Sequence, residues 1–262
     1  MNNLKKIVKN LFLKIFNIDL IKRPFNDIDY RHQRIILGLS FLKLPVFNEE
    51  QKNELDFIKF CQKNEPNSFS QNFQDLFVLY VLKEKKNGFF VEFGATDGIE
   101  LSNTLILEKE YNWRGILAEP AKSFHPFLFS NRNVIIETNC VWKHSNEIVK
   151  FQEFAGTGLS GITKNIFTNS NRSTYDVETI SLFDLLLKHN APSIIDFLSI
   201  DTEGSEFEIL NSFNFKKYEI KIIIVEHNYK KIRKDIYNLL TLNGYKRVFT
   251  NLSFQDDWYI LN

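Results

Sequence analysis

The sequence predicts an α/β fold built on a parallel sheet, and three observations carry that prediction. Short apolar runs recur from position 89 onward: FFVEFGA (89–95), GILAEP (115–120), NVIIETNCV (133–141), SIIDFLSID (193–201) and KIIIVEHNY (221–229). Helix-compatible segments separate most of them, which is the pattern of strands joined by helical crossovers. The runs are almost continuously apolar, as strands covered on both faces require.

Composition narrows the classes. With 262 residues, 44% hydrophobic and 25% charged, the chain has globular composition and the length for one large core. A formal net charge of +1 provides no basic field, which argues against a nucleic-acid partner. Cys61 and Cys140 lie far apart and belong to no CxxC or Cys/His group, so neither a disulfide framework nor a zinc site is expected. A reducing, cytoplasmic setting fits.

Residues 1–67 read as an N-terminal helical extension and 68–262 as the main domain. In MNNLKKIVKNLFLKIFNIDL, Leu4, Ile7, Val8, Leu11, Phe12, Ile15 and Phe16 share one helical face, with Lys5, Lys6, Lys9 and Lys14 largely off it. These lysines break the stretch well short of the ~18 uncharged residues of a span, and no small-residue cleavage site follows. Residues 1–18 therefore read as a docked helix or as a basic amphipathic helix in peripheral contact with a membrane surface. Further helices are expected near 28–42 and 49–62. SQNFQDLFVLYVLKEKKNG then reads as a helix that stops at Gly88. EIVKFQEF reads as an extra strand, and GYKRVFTNL with DDWYILN as a terminal strand pair. The polar stretch 155–175, rich in Gly, Ser, Thr and Asn, is expected to be a lid or a disordered loop.

Open parallel sheets bind ligands beyond the carboxyl ends of their strands, so those ends carry the chemical reading. The first end is Glu92-x-Gly94-x-Thr96-x-Gly98, where the glycines serve either a tight strand-to-helix turn or close approach to a ligand. Glu119 ends the next strand, roughly 20 residues on, where a nucleoside-binding sheet places an acid that accepts from ribose hydroxyls. Asn139 and Cys140 end the third strand, a natural place for an adenine-edge contact. The fourth end, SIDTEGSEFEIL, concentrates Asp201, Glu203 and Glu206. There Ser205 with Glu208 matches a capping box, which leaves Asp201 and Glu203 without a structural explanation. The fifth end delivers Glu226, His227 and Asn228 to the same rim.

Together, SFSQNFQDLFVLYVL, GFFVEFGATDGIELSNTLILEKEYNWRGILAEP, VETISLFDLLL, IDFLSIDTEGSEFEIL and IIVEHNY resemble the FkbM-type S-adenosylmethionine-dependent methyltransferases over residues 68–262. The resemblance implies a Rossmann-like class I methyltransferase fold, a seven-stranded mostly parallel sheet with an antiparallel C-terminal hairpin, and methyl transfer usually to oxygen. It implies that Glu92, Gly94, Thr96, Asp97 and Gly98 line the methionine end of S-adenosyl-L-methionine and that Glu119 meets the ribose. Ser102, Asn103 and Thr104 match the family's polar run after the turn, with Asn103 a cofactor contact. Thr96 replaces the middle glycine of the generic GxGxG pattern, a substitution usual in this family.

A sulfonium methyl is already activated, so transfer needs an aligned acceptor oxygen and a group to take its proton. Asp201, Glu203 and His227 are the expected bases. The alternative is a Mg ion held by Asp201, Glu226 and Asn228. The expected acceptor is a hydroxyl on a sugar or glycan, or on a secondary metabolite. Two other classes remain: a non-catalytic membrane-associated adaptor, and a nicotinamide-dependent oxidoreductase, which wants a GxGxxG that Gly94-Ala-Thr-Asp-Gly98 does not supply.

Overall fold

The computed structural model describes residues 48–154, 158–163 and 172–262. The amphipathic stretch 1–18 and the helix expected near 28–42 lie outside them. Helix α1 (Glu49–Asn64) begins at Asn48, whose side chain accepts the Gln51 N–H at 2.9 Å, with Glu49 and Glu50 favourably placed in the first turn. A short 3-10 turn (Glu65–Asn67) leads to α2 (Gln74–Val81). Phe57 of α1 packs edge-on against Phe77 of α2 and against Phe249 and Trp258, so residues 49–64 share a core with the main domain. The second helix ends at Val81, earlier than Gly88. Lys83, Glu84 and Asn87 take φ of 51°, 53° and 58°, which helical backbone does not permit.

The main sheet has seven strands: β1 (Phe89–Phe93), β2 (Arg114–Ala118), β3 (Ile135–Glu137), β8 (Ile194–Ile200), β9 (Glu219–Glu226), β10 (Tyr245–Val248) and β11 (Asp256–Leu261). They run in the order β10-β11-β9-β8-β1-β2-β3. Pairings from β3 to β9 are parallel, and β11 is antiparallel to both neighbours, so the terminal pair is the reversed hairpin the sequence predicts. Alternation within the strands fills both layers. Phe90, Leu117, Phe197 and Ile222 face α1, α2 and α3 (Leu105–Tyr111). Val91, Ile116, Leu198 and Ile223 face α5 (Leu182–Lys188), α6 (Glu206–Ser212) and α7 (Arg233–Leu242). Removing any one of the fully buried aromatics, such as Phe197, is worth about 3–5 kcal/mol.

NVIIETNCV is two strands, not one. β3 stays in the main sheet, and the chain leaves it after Glu137, whose carboxylate accepts from Asn139 N at 3.1 Å and from Lys188 at 2.7 Å. β4 (Cys140–Trp142) then starts a second sheet, β4-β7-β5-β6, with β5 (Ile148–Phe154), β6 (Gly161–Ile162) and β7 (Arg172–Ser181). Residues 172–175, expected in the polar loop, are strand, paired antiparallel to 151–154. Helix α4 (His125–Asn131) follows β2. No helix among the described residues is long and apolar enough to cross a membrane.

Candidate active site

The strand order reverses at β1, which has β2 on one side and β8 on the other, so the carboxyl ends of β1 and β8 open a crevice. A cavity of about 530 Å³ lies there. A smaller hollow of about 40 Å³ adjoins it, sharing Phe93, Gly94, Phe124 and Asp201 as walls and lined further by Glu119, Cys140, Phe151 and Ile162. The second sheet thus supplies one wall of the hollow.

The turn after β1 forms the floor. Gly94 takes φ +76°, and a Cβ there would lie 2.2 Å from the Asp201 carbonyl oxygen, so only glycine lets β1 and β8 end this close. Gly98 takes φ +82°, and its Cβ would meet Arg132 Cγ at 2.6 Å. Thr96 between them takes φ 47°, an outlier for a β-branched residue, and is held by its N–H, which donates to Glu119 Oε2 at 2.8 Å. The other Glu119 oxygen accepts from Ala121 N at 2.8 Å. Burial pushes the Glu119 carboxyl up to about 7, against the pull of these amides and with the push of Glu153. Asp97 Oδ1 accepts from Ile99 N and Glu100 N at 2.8 and 2.9 Å, which fixes the turn.

Glu92 is buried on β1 and anchors the polar run. Its carboxylate accepts from Asn103 N at 2.7 Å, from Ser102 Oγ at 3.2 Å and from Thr104 Oγ1. Burial raises its pKa, with Arg132 the largest opposing influence. The Asn103 side chain donates to Ser199 Oγ at 2.9 Å on β8, and its Oδ1 is buried without a hydrogen-bond partner. Asn103 lines the cavity.

The far wall is acidic. One carboxylate oxygen each from Asp201, Glu203 and Glu226 lies within 4.8 Å of the others. Asp201 opens onto the cavity but is surrounded by protein, and this desolvation, followed by Glu226 and Glu203, raises its pKa well above the carboxylate range. Desolvation, with Glu203 and Asp256 adding, pushes Glu226 up to about 8. Glu206 plays a structural part, its Oε1 accepting from Thr202 N, Thr202 Oγ1 and Gly204 N at 3.1, 3.1 and 2.8 Å. The expected capping box is absent: Ser205 Oγ donates to Thr202 Oγ1 at 2.7 Å instead of capping the helix.

Three expected site residues, His227, Asn139 and Gly98, line neither the cavity nor the hollow. His227 lies behind the wall, because alternation on β9 sends Glu226 to the cavity and the next side chain away from it. Its Nδ1 accepts from Tyr229 N at 2.9 Å, leaving the proton on Nε2, 3.7 Å from Asp257 Oδ1. Burial lowers its pKa, and it does not line the cavity. Asn139 lines neither cavity nor hollow, since the chain has already turned toward the second sheet. Asn228 lines the cavity, its amide nitrogen donating to Glu226 Oε2 at 2.7 Å, and Glu203 adds a third carboxylate beside Asp201 and Glu226.

Several wall residues escaped sequence reading. Gln71 and Gln74 belong to the SQNFQD stretch, legible there only as helix-start polarity, and Asp256 sits in a run legible only as a strand. Gln74 Nε2 donates to Asp256 Oδ2 at 2.7 Å and ties the two together. Arg132, in the turn after α4, has no local signature at all. Among the described residues, the cavity wall holds seven carboxylates, five carboxamides and no Lys, Arg or His.

The family model described as "Methyltransferase FkbM domain" matches residues 92–247. No curated protein matches the chain. Similar solved structures include an O-methyltransferase from Bacillus cereus in complex with SAH, at 11% identity and TM-score 0.44, covering 88% of this chain and 97% of that one. Another is precorrin-6y C5,15-methyltransferase from Geobacter metallireducens, at 14% identity and TM-score 0.37, covering 71% and 86%. Likenesses of this degree add nothing to the topology described above. The family match spans more than half of the sequence and includes the glycine turn, Glu119 and the acidic wall, and the chain belongs to the FkbM methyltransferase domain family.

Proposed function

We propose that this protein transfers a methyl group from S-adenosyl-L-methionine to a hydroxyl oxygen of an uncharged polyol, a sugar or glycan in first place and a secondary metabolite in second. The observation that carries the proposal is the make-up of the cavity wall: seven acidic side chains and five carboxamides, with no cation among its described lining residues. Such a wall attracts a sulfonium and repels phosphorylated or carboxylated acceptors, while carboxamides offer a neutral polyol both donors and acceptors.

The residues fit the cofactor. Asn103 Oδ1 is a buried acceptor without a protein partner, suited to an ammonium group. Each Glu119 oxygen holds one backbone amide and retains a lone pair for a ribose hydroxyl. When bound, the cofactor supplies an activated methyl group. Gly94, Thr96, Asp97 and Asn103 position it from the floor, Gly98 shapes the turn from beneath against Arg132, and Cys140, whose thiol burial holds at about 12, offers the hollow an apolar contact.

Asp201 and Glu226 are the base in this reading, with Glu203 beside them, since all three face the acceptor space. Transfer would break the carbon–sulfur bond as the carbon–oxygen bond forms, and the acceptor proton would pass to the carboxylate of the pair that ionises last. The convergent carboxylates also suit a hard divalent cation such as Mg by donor type, with Asp201, Glu203 and Glu226 as its holders. Exhaustive chelation tests that version, which predicts loss of turnover restored by added Mg.

The deciding experiment pairs calorimetry of S-adenosylhomocysteine with a radiolabelled-methyl screen of neutral glycosides and their phosphorylated counterparts. Label is expected on the neutral compounds. Label confined to anionic acceptors would overturn the proposal.

A further inference from the structure

We infer that Arg132 is a positioning residue for the methyl donor, acting through the turn at 98–104 to aim Asn103 into the cavity. The inference rests on the reading above in one respect, that the donor binds against this turn.

The turn that carries Asn103 needs an external support. Leu101 takes φ of 57°, a left-handed conformation that a leucine does not hold on local preference alone. Arg132 sits under it, buried, in the turn after α4. Its Nη1 donates to Gly98 O and Ser102 Oγ, both at 3.0 Å, and its Nη2 donates to Thr104 Oγ1 at 2.9 Å. Nε donates to Glu108 Oε2 at 2.5 Å, which fixes the guanidinium plane from α3.

The two hydroxyls do more than satisfy Arg132. Ser102 Oγ and Thr104 Oγ1 each accept from the guanidinium and each donate to Glu92 Oε2. They bridge two buried, opposite charges whose nearest atoms are 3.9 Å apart. Asn103 lies between them in sequence, with its N–H on the other oxygen of Glu92 and its side chain at the cavity. The bridge therefore clamps the residue on each side of Asn103, one end on the helix layer and the other on β1. Breaking it from the Arg132 side leaves Glu92 a buried carboxylate without its cation and takes from both flanking hydroxyls the donor that ties them to the helix layer.

The geometry predicts that lysine does not substitute. Three nitrogens of a rigid planar fork serve Gly98, Ser102, Thr104 and Glu108 in one plane, whereas an ammonium is a single point.

The test compares Arg132→Lys and Arg132→Met with Leu240→Ala, which removes a side chain buried against α7's face of the sheet, far from the turn. Thermal melts, S-adenosylhomocysteine calorimetry and, with an acceptor found by the screen, KM and kcat are read on all three. Both Arg132 variants are expected to weaken S-adenosylhomocysteine by at least tenfold and to raise KM for the donor more than they lower kcat, with KM for the acceptor little changed. Leu240→Ala, melting as low or lower, is expected to keep donor affinity. Glu92→Gln combined with Arg132→Met is expected to be far less than additive on donor affinity. Wild-type affinity in folded Arg132→Lys overturns the inference, as does full additivity in the double variant. Absence of S-adenosylhomocysteine binding by the wild type instead overturns the proposed function, and with it the donor site Arg132 is assigned to support.

Discussion

Gly94 and Asp201 meet where two parallel strands end: a Cβ on Gly94 would stand 2.2 Å from the Asp201 carbonyl oxygen. The glycine-turn floor and the acidic wall are therefore one joint, and a side chain at 94 disturbs both. Gly94→Ala has to hold alanine at φ +76°, a cost of about 1–2 kcal/mol before the clash is counted. The variant is expected to melt lower, at about 2–4 °C per kcal/mol for a chain of this size, and to lose S-adenosylhomocysteine affinity by at least tenfold. Calorimetry and a thermal melt check both.

The strands at 89–93, 114–118, 194–200 and 219–226 were legible because burial on both faces writes itself as unbroken apolar runs. Glycines 94 and 98, Glu119, Asp201 and Glu226 were legible because they sit at the ends of those runs. Of the second sheet, β5 was legible as the extra strand EIVKFQEF, but its partner β7 was not, since it is half exposed and RSTYDVETIS shows little apolar alternation. The facing of His227 turned on one residue of strand register, to which a sequence gives position but not direction. Arg132 was illegible for another reason: its partners at 92, 98, 102, 104 and 108 lie 24 to 40 residues before it and are brought near only by the crossover.

Asp201 and Glu226 should titrate as a pair, with apparent values that belong to both. Burial and mutual repulsion raise them, Glu226 to about 8, so the pair keeps a proton at neutral pH. The methyl-transfer rate is expected to climb as pH rises through about 8, when the second carboxylate becomes free to take the acceptor proton. Stability runs the other way. A carboxyl whose folded pKa is raised stabilises the fold below its unfolded value and progressively less as pH rises through its folded value. Glu226→Gln is thus expected to abolish turnover and to melt higher than the wild type above pH 8, with the gain shrinking toward pH 5. A flat rate profile from pH 6 to 9 would remove the pair as the base.

His227→Asn tests the placement behind the wall. An asparagine carbonyl can still accept from Tyr229 N, and the position does not line the cavity. Turnover within about threefold of the wild type is expected, with a lower melting temperature from the smaller buried side chain, since losing buried volume costs about 1–3 kcal/mol. A loss of turnover beyond a hundredfold, with donor affinity intact, would restore the imidazole as the base.

Glu119 offers a reading of donor binding that needs no acceptor. Burial sets its carboxyl at about 7, so below that pH the free protein holds it protonated. Ribose hydroxyls donate, and they favour the ionised form, so binding draws the proton off. S-adenosylhomocysteine affinity is therefore expected to rise with pH up to about 7 and to level off above it, with proton release measurable as a buffer-dependent heat. Glu119→Gln presents an NH2 to either Thr96 N or Ala121 N, where only an acceptor fits, so it should bind weakly at every pH and lose this dependence. An affinity that is strong and independent of pH in the wild type would separate Glu119 from the ribose and leave it only the task of holding Thr96.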